Sequence, residues 1–148
     1  MSNYRQEMNQ GYWEGFIRYM AEHFPNYRFG KVSKESYQVV PPVLGPGVQM
    51  AVGMNRKPDE SIRVDVTLTN APEEWSAQLW QEAEAIKKEV GITDGHWEWS
   101  PRPGKAETHI ILRKNLRLDS ARKPQYEWLA EAAVKFHEVF GPRVAKFN

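Results

Sequence analysis

The sequence predicts an α+β fold, a two-layer sandwich of three helices on a mainly antiparallel sheet of about five strands. Apolar residues recur at helical spacing in three segments and alternate with polar residues in several others. Short turns join consecutive strands, which favours antiparallel hairpins, and the predicted order is α-β-β-β-α-β-β-α. The 148 residues contain no internal repeat and no low-complexity tract, so residues 1–148 are expected to form a single domain.

The first helix is predicted from six apolar residues that share one face: Tyr12, Trp13, Phe16, Ile17, Met20 and Phe24. We expect the helix to end at Phe24, because Pro25 disfavours helical dihedral angles in the residue before it.

The next three elements are predicted strands. Strand 37–40 should be short or lie at a sheet edge, because Pro41 and Pro42 cannot donate to a ladder. A turn at 45–47 leads into strand 48–55. The third strand, 62–69, is the clearest, because apolar residues alternate with Arg63, Asp65, Thr67 and Thr69. This alternation predicts one buried face and one solvent-exposed face.

One long helix should follow, with Asn70 as its N-cap, Glu73 at the capping-box position and Gly91 as a left-handed C-cap. Residues 96–100 and 106–115 are predicted to form a hairpin. The closing helix carries apolar residues from Tyr126 to Phe140 at helical spacing, and we expect it to end at Gly141-Pro142.

Composition narrows the function classes. The chain has 20 Lys plus Arg against 19 Asp plus Glu, a net charge of +1, so an electrostatic site has to be local. The absence of cysteine excludes disulfides, thiol nucleophiles and cysteine-bound zinc. No apolar stretch is long enough for a membrane span and no secretory signal is visible, so we expect a cytoplasmic protein that does not bind membranes.

No catalytic residue, metal site or cofactor is predicted. The four histidines lack metal-ligand spacing, and no glycine-rich phosphate loop is present. The sequence resembles the motif of PD-(D/E)XK nucleases at Pro58-Asp59 and Asp65. In those nucleases the acids hold Mg²⁺ beside a lysine, whereas Thr67 stands in the lysine position of this chain. A turn followed by a strand acid on the solvent face is the preferred interpretation.

Two groups of residues are candidate contact surfaces. The first lies between residues 101 and 123, where seven basic residues stand against two acids, and this excess of positive charge suits a phosphate backbone. These seven residues, called the basic stripe below, are Arg102, Lys105, Arg113, Lys114, Arg117, Arg122 and Lys123. The second consists of Trp80, Trp97 and Trp99, which could anchor a partner. A solvated strand face and core packing, respectively, are the ordinary alternatives.

A set of motifs extends over most of the chain: Tyr12-Trp13-x-Gly15-Phe16, Ile62-x-Val64-x-Val66, Trp75-x-x-x-Leu79 with Ile86 and Gly91, Trp97-Glu98, Pro103-Gly104-Lys105, Trp128-Leu129, and Phe140-x-Pro142-Arg143. Together they resemble a bacterial domain-of-unknown-function family, number 4268, often found C-terminal to a PD-(D/E)XK-like nuclease domain. The resemblance implies a fold and a role beside a nuclease, and it supplies no catalytic residues.

Three hypotheses follow from these observations. The first is a non-catalytic recognition module that contacts DNA or a nuclease partner in restriction or phage defence, through the basic stripe. The second is a protein-binding or self-associating accessory, including a homodimer or a phage-encoded inhibitor of a defence complex, anchored by the tryptophans. The third and weakest is a Mg²⁺-dependent nuclease that uses Asp59 and Asp65.

Overall fold

The computed structural model describes residues 4–100 and 107–147. Within these residues the chain forms four helices and five strands: α1 (Tyr4–His23), β1 (Tyr37–Val39), β2 (Val48–Asn55), β3 (Ser61–Leu68), α2 (Glu73–Gln81), α3 (Ala83–Val90), β4 (His96–Ser100), β5 (Thr108–Asn115) and α4 (Arg122–Ala145). The α+β class and the five-strand count agree with the sequence-based prediction.

The strands form one antiparallel sheet in the order β1-β2-β3-β5-β4. The three-residue β1 lies at one edge, as the prolines that follow it predict. The hairpin of β4 and β5 inserts β5 beside β3, so β3 is the central strand and has neighbours on both sides. Side chains on β3 are therefore flanked by those of β2 and β5 on each face of the sheet.

The helices cover one face of the sheet. Residues that alternate along the central strands point to this face and are fully buried, among them Val52, Val64 and Leu112, which lie side by side in the register. Trp13, Phe136 and other large side chains of α1 and α4 pack against them in one continuous core. The apolar periodicity of the sequence thus identifies the buried face correctly.

The long helix predicted for 72–90 is divided in two. Glu82 leaves the helical conformation (φ −99°, ψ 12°), and its N–H bonds back to the carbonyl oxygens of Leu79 and Trp80 in a tight turn. The Glu82 carboxylate accepts a hydrogen bond from Arg143 Nε at 3.0 Å, which ties the break to α4. The predicted helix count of three is therefore one too low.

Two predicted helix ends are also wrong. Asn70 has a left-handed backbone (φ 60°), which an N-cap residue cannot have, and Pro72 occupies the cap position. Helix α4 continues past Gly141 with Pro142 inside it. Its last turn is held by tertiary contacts, because Arg143 pairs with Glu89. The predicted C-cap at Gly91 is correct, with φ 69°.

No helix within residues 4–100 and 107–147 combines the length and the hydropathy that crossing a membrane requires.

Candidate functional site

The face of the sheet opposite the helices carries polar side chains in rows that cross the strands. One row runs Gly53, Arg63, Arg113 and His96, and the adjacent row contains Ala51, Asp65, Ile111 and Glu98. A third row contains Gln49, Thr67, His109 and Ser100. Side chains in one row lie within contact distance, so the register brings together residues that are far apart in the sequence.

The parts of these rows on β2, β3 and β5 form the floor of a cleft of about 600 Å³, called the open-face cleft below. Its apolar lining includes Tyr37, Val43 and Ile111, and its polar lining includes Arg63, Asp65, Thr67, His109 and Arg113. Tyr37 and Val43 are 43% and 67% exposed, so a molecule in the cleft can reach both. The volume falls within the range of small-molecule sites, roughly 300–1,000 Å³.

An ion pair lies at the centre of the cleft floor. Arg63 Nε donates to Asp65 Oδ2 at 3.2 Å, and the two side chains are only 16% and 13% exposed. Arg63 Nη1 donates to Asn55 Oδ1. Gly53 makes room for the guanidinium, because a Cβ at this position would lie 2.4 Å from Arg63 Cζ. The glycine therefore allows the arginine to lie flat across its neighbouring strand.

Burial raises the pKa of the Asp65 carboxyl, and the charge of Arg63 only partly opposes this effect. Among residues 4–100 and 107–147, the second oxygen, Oδ1, has a single weak partner, the Thr67 hydroxyl at 3.5 Å. The same hydroxyl lies 3.3 Å from His109 Nδ1, and His109 Nε2 lies 3.6 Å from the Glu107 carboxylate. A series of polar side chains thus leads from the buried Asp65 to the exposed Glu107.

Arg113 is engaged by its neighbours on the same face. Its Nε and Nη2 donate to the two oxygens of Glu98 at 2.8 and 3.2 Å, and its Nη1 donates to Asn55 and Ser61. The paired guanidinium lowers the pKa of Glu98. This arginine has its ordinary partners and serves as a wall of the cleft.

The solvent-exposed face predicted for β3 is only partly correct. Arg63 and Thr67 are half-buried and Asp65 is 9% exposed, so these residues are not freely solvated. The reason is the position of β3 at the centre of the sheet, where Ala51 and Ile111 flank the Asp65 side chain. A period-2 pattern identifies the face of a strand but not the place of that strand in the sheet.

The basic stripe is divided among several surroundings. Arg113 faces the open-face cleft, whereas Lys114 points to the other face of β5 and pairs with Asp94 at 2.9 Å. Arg117 pairs with Asp119 at 3.0 Å, and Arg122 lies over the ring of Tyr12 at 4.8 Å.

Lys123 is exposed and makes no ion pair among the described residues. Arg102 and Lys105 lie outside the described residues. A single phosphate-binding surface built from the stripe therefore stays a prediction.

The three candidate tryptophans form two contacts with the helix layer. Trp97 and Trp99 share the helix-covered side of β4, as their spacing predicts, and both are half-buried. Trp97 stacks on Phe136 with ring centroids 5.4 Å apart. Trp99 meets Trp80 edge-on at 5.4 Å, and Trp80 is 39% exposed. The aromatic surface available to a partner is thus centred on Trp80.

The two acids of the nuclease hypothesis are separated. Asp65 lines the open-face cleft, whereas Asp59 lines a different depression beside His96 and Glu98. In the part of the chain that the structure describes, no group of three His, Asp or Glu side chains could hold a metal ion. The pair therefore does not form a shared carboxylate site.

No family model, curated protein or solved structure matches this chain. The resemblance to the domain family named above stays a prediction.

The open-face cleft was not predicted from the sequence. Asp65 and Arg113 were candidates for other reasons, His109 and Gly53 were weighed only for a metal site and a phosphate loop, and Asn55 was given no role. The register of β2 against β3 is the signal that could have identified these residues. It places Gly53 opposite Arg63, and a glycine opposite an arginine in neighbouring strands indicates that a large side chain lies over the sheet.

Proposed function

We propose that this protein is a non-catalytic recognition module and that it binds its ligand in the open-face cleft. The observation that carries this proposal is the pairing of the largely buried Arg63 and Asp65 on the floor of a cleft with apolar walls. Burying two charges costs free energy that ion pairing seldom recovers in full, so such a pair is weak support for stability alone. A cleft in which polar side chains converge beside apolar and aromatic ones is typical of a ligand site.

The test is a protein-observed NMR titration with a mixture of small polar aromatic fragments. We expect shift changes to cluster on the amides of Arg63, Asp65, Thr67 and His109. The variant Ile111→Trp fills the cleft and should abolish the changes. Shifts that scatter over the surface, or that persist in the filled variant, would contradict the proposal.

DNA contact through the basic stripe is the second candidate function. It is favoured by the exposure of Arg117, whose side chain is 81% exposed, and by Lys123 at the start of α4. Anisotropy of a labelled duplex, measured over a series of salt concentrations, tests this candidate. The double variant Arg117→Ala with Lys123→Ala should bind more weakly and with a smaller salt slope, whereas Lys88→Ala on α3 is the matched control. An unchanged slope would exclude these residues as the contact.

The setting we propose rests on the resemblance alone. It is a bacterial or phage cytoplasm, in which the module acts beside a nuclease in restriction or phage defence. A protein partner, including a second copy of the chain, would use the exposed edge of Trp80, and light scattering of Trp80→Ala against the parent chain tests self-association. Incubation of supercoiled plasmid with Mg²⁺ tests the nuclease alternative, because neither binding function predicts nicking.

A further inference from the structure

The Arg63–Asp65 pair is only half formed. A guanidinium commonly pairs side-on with a carboxylate through Nε and Nη2, as Arg113 does with Glu98 and Arg117 with Asp119. Arg63 uses Nε but not Nη2, for which no acceptor exists among the described residues. Asp65 correspondingly keeps Oδ1 almost unused, with only the 3.5 Å contact from Thr67. One donor and one acceptor are therefore left on adjoining groups in the cleft.

The charges of the cleft are balanced. Arg63 faces Asp65, Arg113 is held by Glu98, and the His109 ring lies near Glu107. A strongly charged ligand would leave one of these groups without compensation, at a cost that a neutral ligand avoids. The electrostatics favour an uncharged molecule that makes hydrogen bonds.

The floor and the edge of the cleft restrict the shape of this molecule. Ala51 and Ile111 flank Asp65 in the sheet, and Tyr37 offers an exposed aromatic ring at the edge. A flat ring can lie on such a floor and contact the tyrosine, whereas a bulky branched molecule gains less. The cleft of about 600 Å³ has room for a ring with a sugar-sized substituent.

Resting on the proposed function, we propose that the open-face cleft binds the lactam edge of a nucleobase, in which a ring N–H adjoins a carbonyl. The carbonyl oxygen accepts from Arg63 Nη2, and the ring N–H donates to Asp65 Oδ1. This edge occurs in uracil, thymine, hypoxanthine and guanine, and it supplies the donor and the acceptor that the half-formed pair lacks.

The experiment is an NMR titration of the full chain with three probes: uridine, 3-methyluridine and benzoate. Uridine has the lactam edge, 3-methyluridine has nearly the same shape without the N–H, and benzoate tests an anionic ligand. We expect uridine to bind with a Kd of about 0.1–1 mM, as a molecule of its size allows. We expect 3-methyluridine to bind at least about tenfold more weakly, because it leaves a buried carboxylate oxygen unpaired.

Two matched variants accompany the probes. Asp65→Asn replaces one carboxylate oxygen, the proposed acceptor of the ring N–H, by an amide NH2 group, and it should weaken uridine binding by about tenfold or more. Asp119→Asn changes the other Arg-x-Asp pair of the chain, which is exposed, and should leave binding unchanged. Since 3-methyluridine alters the ligand alone, the proposal stays testable if Asp65→Asn does not fold.

Equal affinity for uridine and 3-methyluridine would overturn the proposed edge recognition. Benzoate shifts at the cleft amides without uridine shifts would overturn the ligand class but leave the cleft as the binding site. If none of the three probes shifts these amides, the nucleobase proposal fails, and the fragment titration then decides separately whether the cleft binds anything.

Discussion

Gly15→Ala tests the packing of the two long helices, α1 and α4. A Cβ at Gly15 would lie 2.3 Å from Tyr126 Oη and 2.9 Å from Cζ and Cε2 of the same ring. Carbon contacts are comfortable at about 3.5–4.0 Å, so the ring has to retreat by roughly 1 Å. The retreat would break the hydrogen bond that the Tyr126 hydroxyl donates to the Tyr12 carbonyl oxygen at 2.8 Å.

The magnitude follows from three contributions. Overpacking a core costs about 1–3 kcal/mol, and losing the buried hydrogen bond costs about 1 kcal/mol. Alanine stabilises a helix interior over glycine by about 0.5–1 kcal/mol, which opposes both. We therefore expect Gly15→Ala to lower the free energy of unfolding by about 1–3 kcal/mol. At roughly 2–4 °C per kcal/mol, the Tm should fall by about 2–12 °C.

Thermal and urea denaturation followed by circular dichroism would measure the effect. Gly11→Ala is the matched control. Gly11 lies in the same helix, at a position where an added methyl group would meet no neighbouring side chain within 4 Å. This variant should raise the free energy of unfolding by about 0.5–1 kcal/mol. Tyr126→Phe removes the nearest atom, so Gly15→Ala should cost less in that background than in the parent chain. A Gly15→Ala variant that melts at or above the parent temperature would refute the packing argument.

Three further predictions concern the cleft and the helix layer. Because burial raises the pKa of Asp65, this carboxyl binds more protons in the folded than in the unfolded chain between about pH 4 and the folded-state pKa. Its contribution to stability should therefore fall as pH rises through the folded-state pKa, and Asp65→Asn should remove this component from the pH dependence of urea unfolding. Gly53→Ala should displace the Arg63 guanidinium and abolish uridine binding, as measured by NMR titration. A melting curve should also show a loss of about 1–3 kcal/mol, because the largely buried Asp65 loses the hydrogen bond from Arg63. Arg143→Met should lower the Tm by about 2–4 °C, because it removes the hydrogen bonds of 2.9–3.0 Å to Glu82 and Glu89. The decrease should be smaller at high salt, where ion pairs are screened, and melting curves at two salt concentrations measure both effects.

The sequence predicts the fold well where periodicity alone decides. The apolar alternation of β3 and the helical spacing around Trp75 and Leu79 both identify buried residues correctly. The sequence fails where tertiary contacts compete with local preference. Pro142 is a strong signal for a helix end, yet the pairing of Arg143 with Glu89 accompanies a further helical turn. Such contacts cannot be predicted before the packing of α3 against α4 is known.

The candidate site shows a second limit of sequence analysis. The chain contains two Arg-x-Asp segments, 63–65 and 117–119, and their spacing predicts the same local ion pair. In the second segment the side chains are 81% and 70% exposed and the pair is complete, with both donors of the side-on guanidinium edge engaged. In the first segment they are 16% and 13% exposed; among the described residues Arg63 Nη2 has no acceptor, and Asp65 Oδ1 has only the 3.5 Å contact with Thr67.

The difference between the two pairs comes from the sheet. Arg63 lies in an extended central strand, where it also bonds to Asn55 on β2 and lies over Gly53. Those contacts hold the guanidinium in an orientation that serves the neighbouring strand as well as Asp65, so the arginine donates one hydrogen bond to the carboxylate instead of two. Arg117, in the turn before α4, has no such competitor among the described residues and forms both hydrogen bonds to Asp119. Identical residue types at identical spacing thus give two different ion pairs. The surface pair forms both of its hydrogen bonds, whereas the pair in the sheet keeps hydrogen-bonding capacity that a ligand can use. The register of β2 against β3 causes this difference.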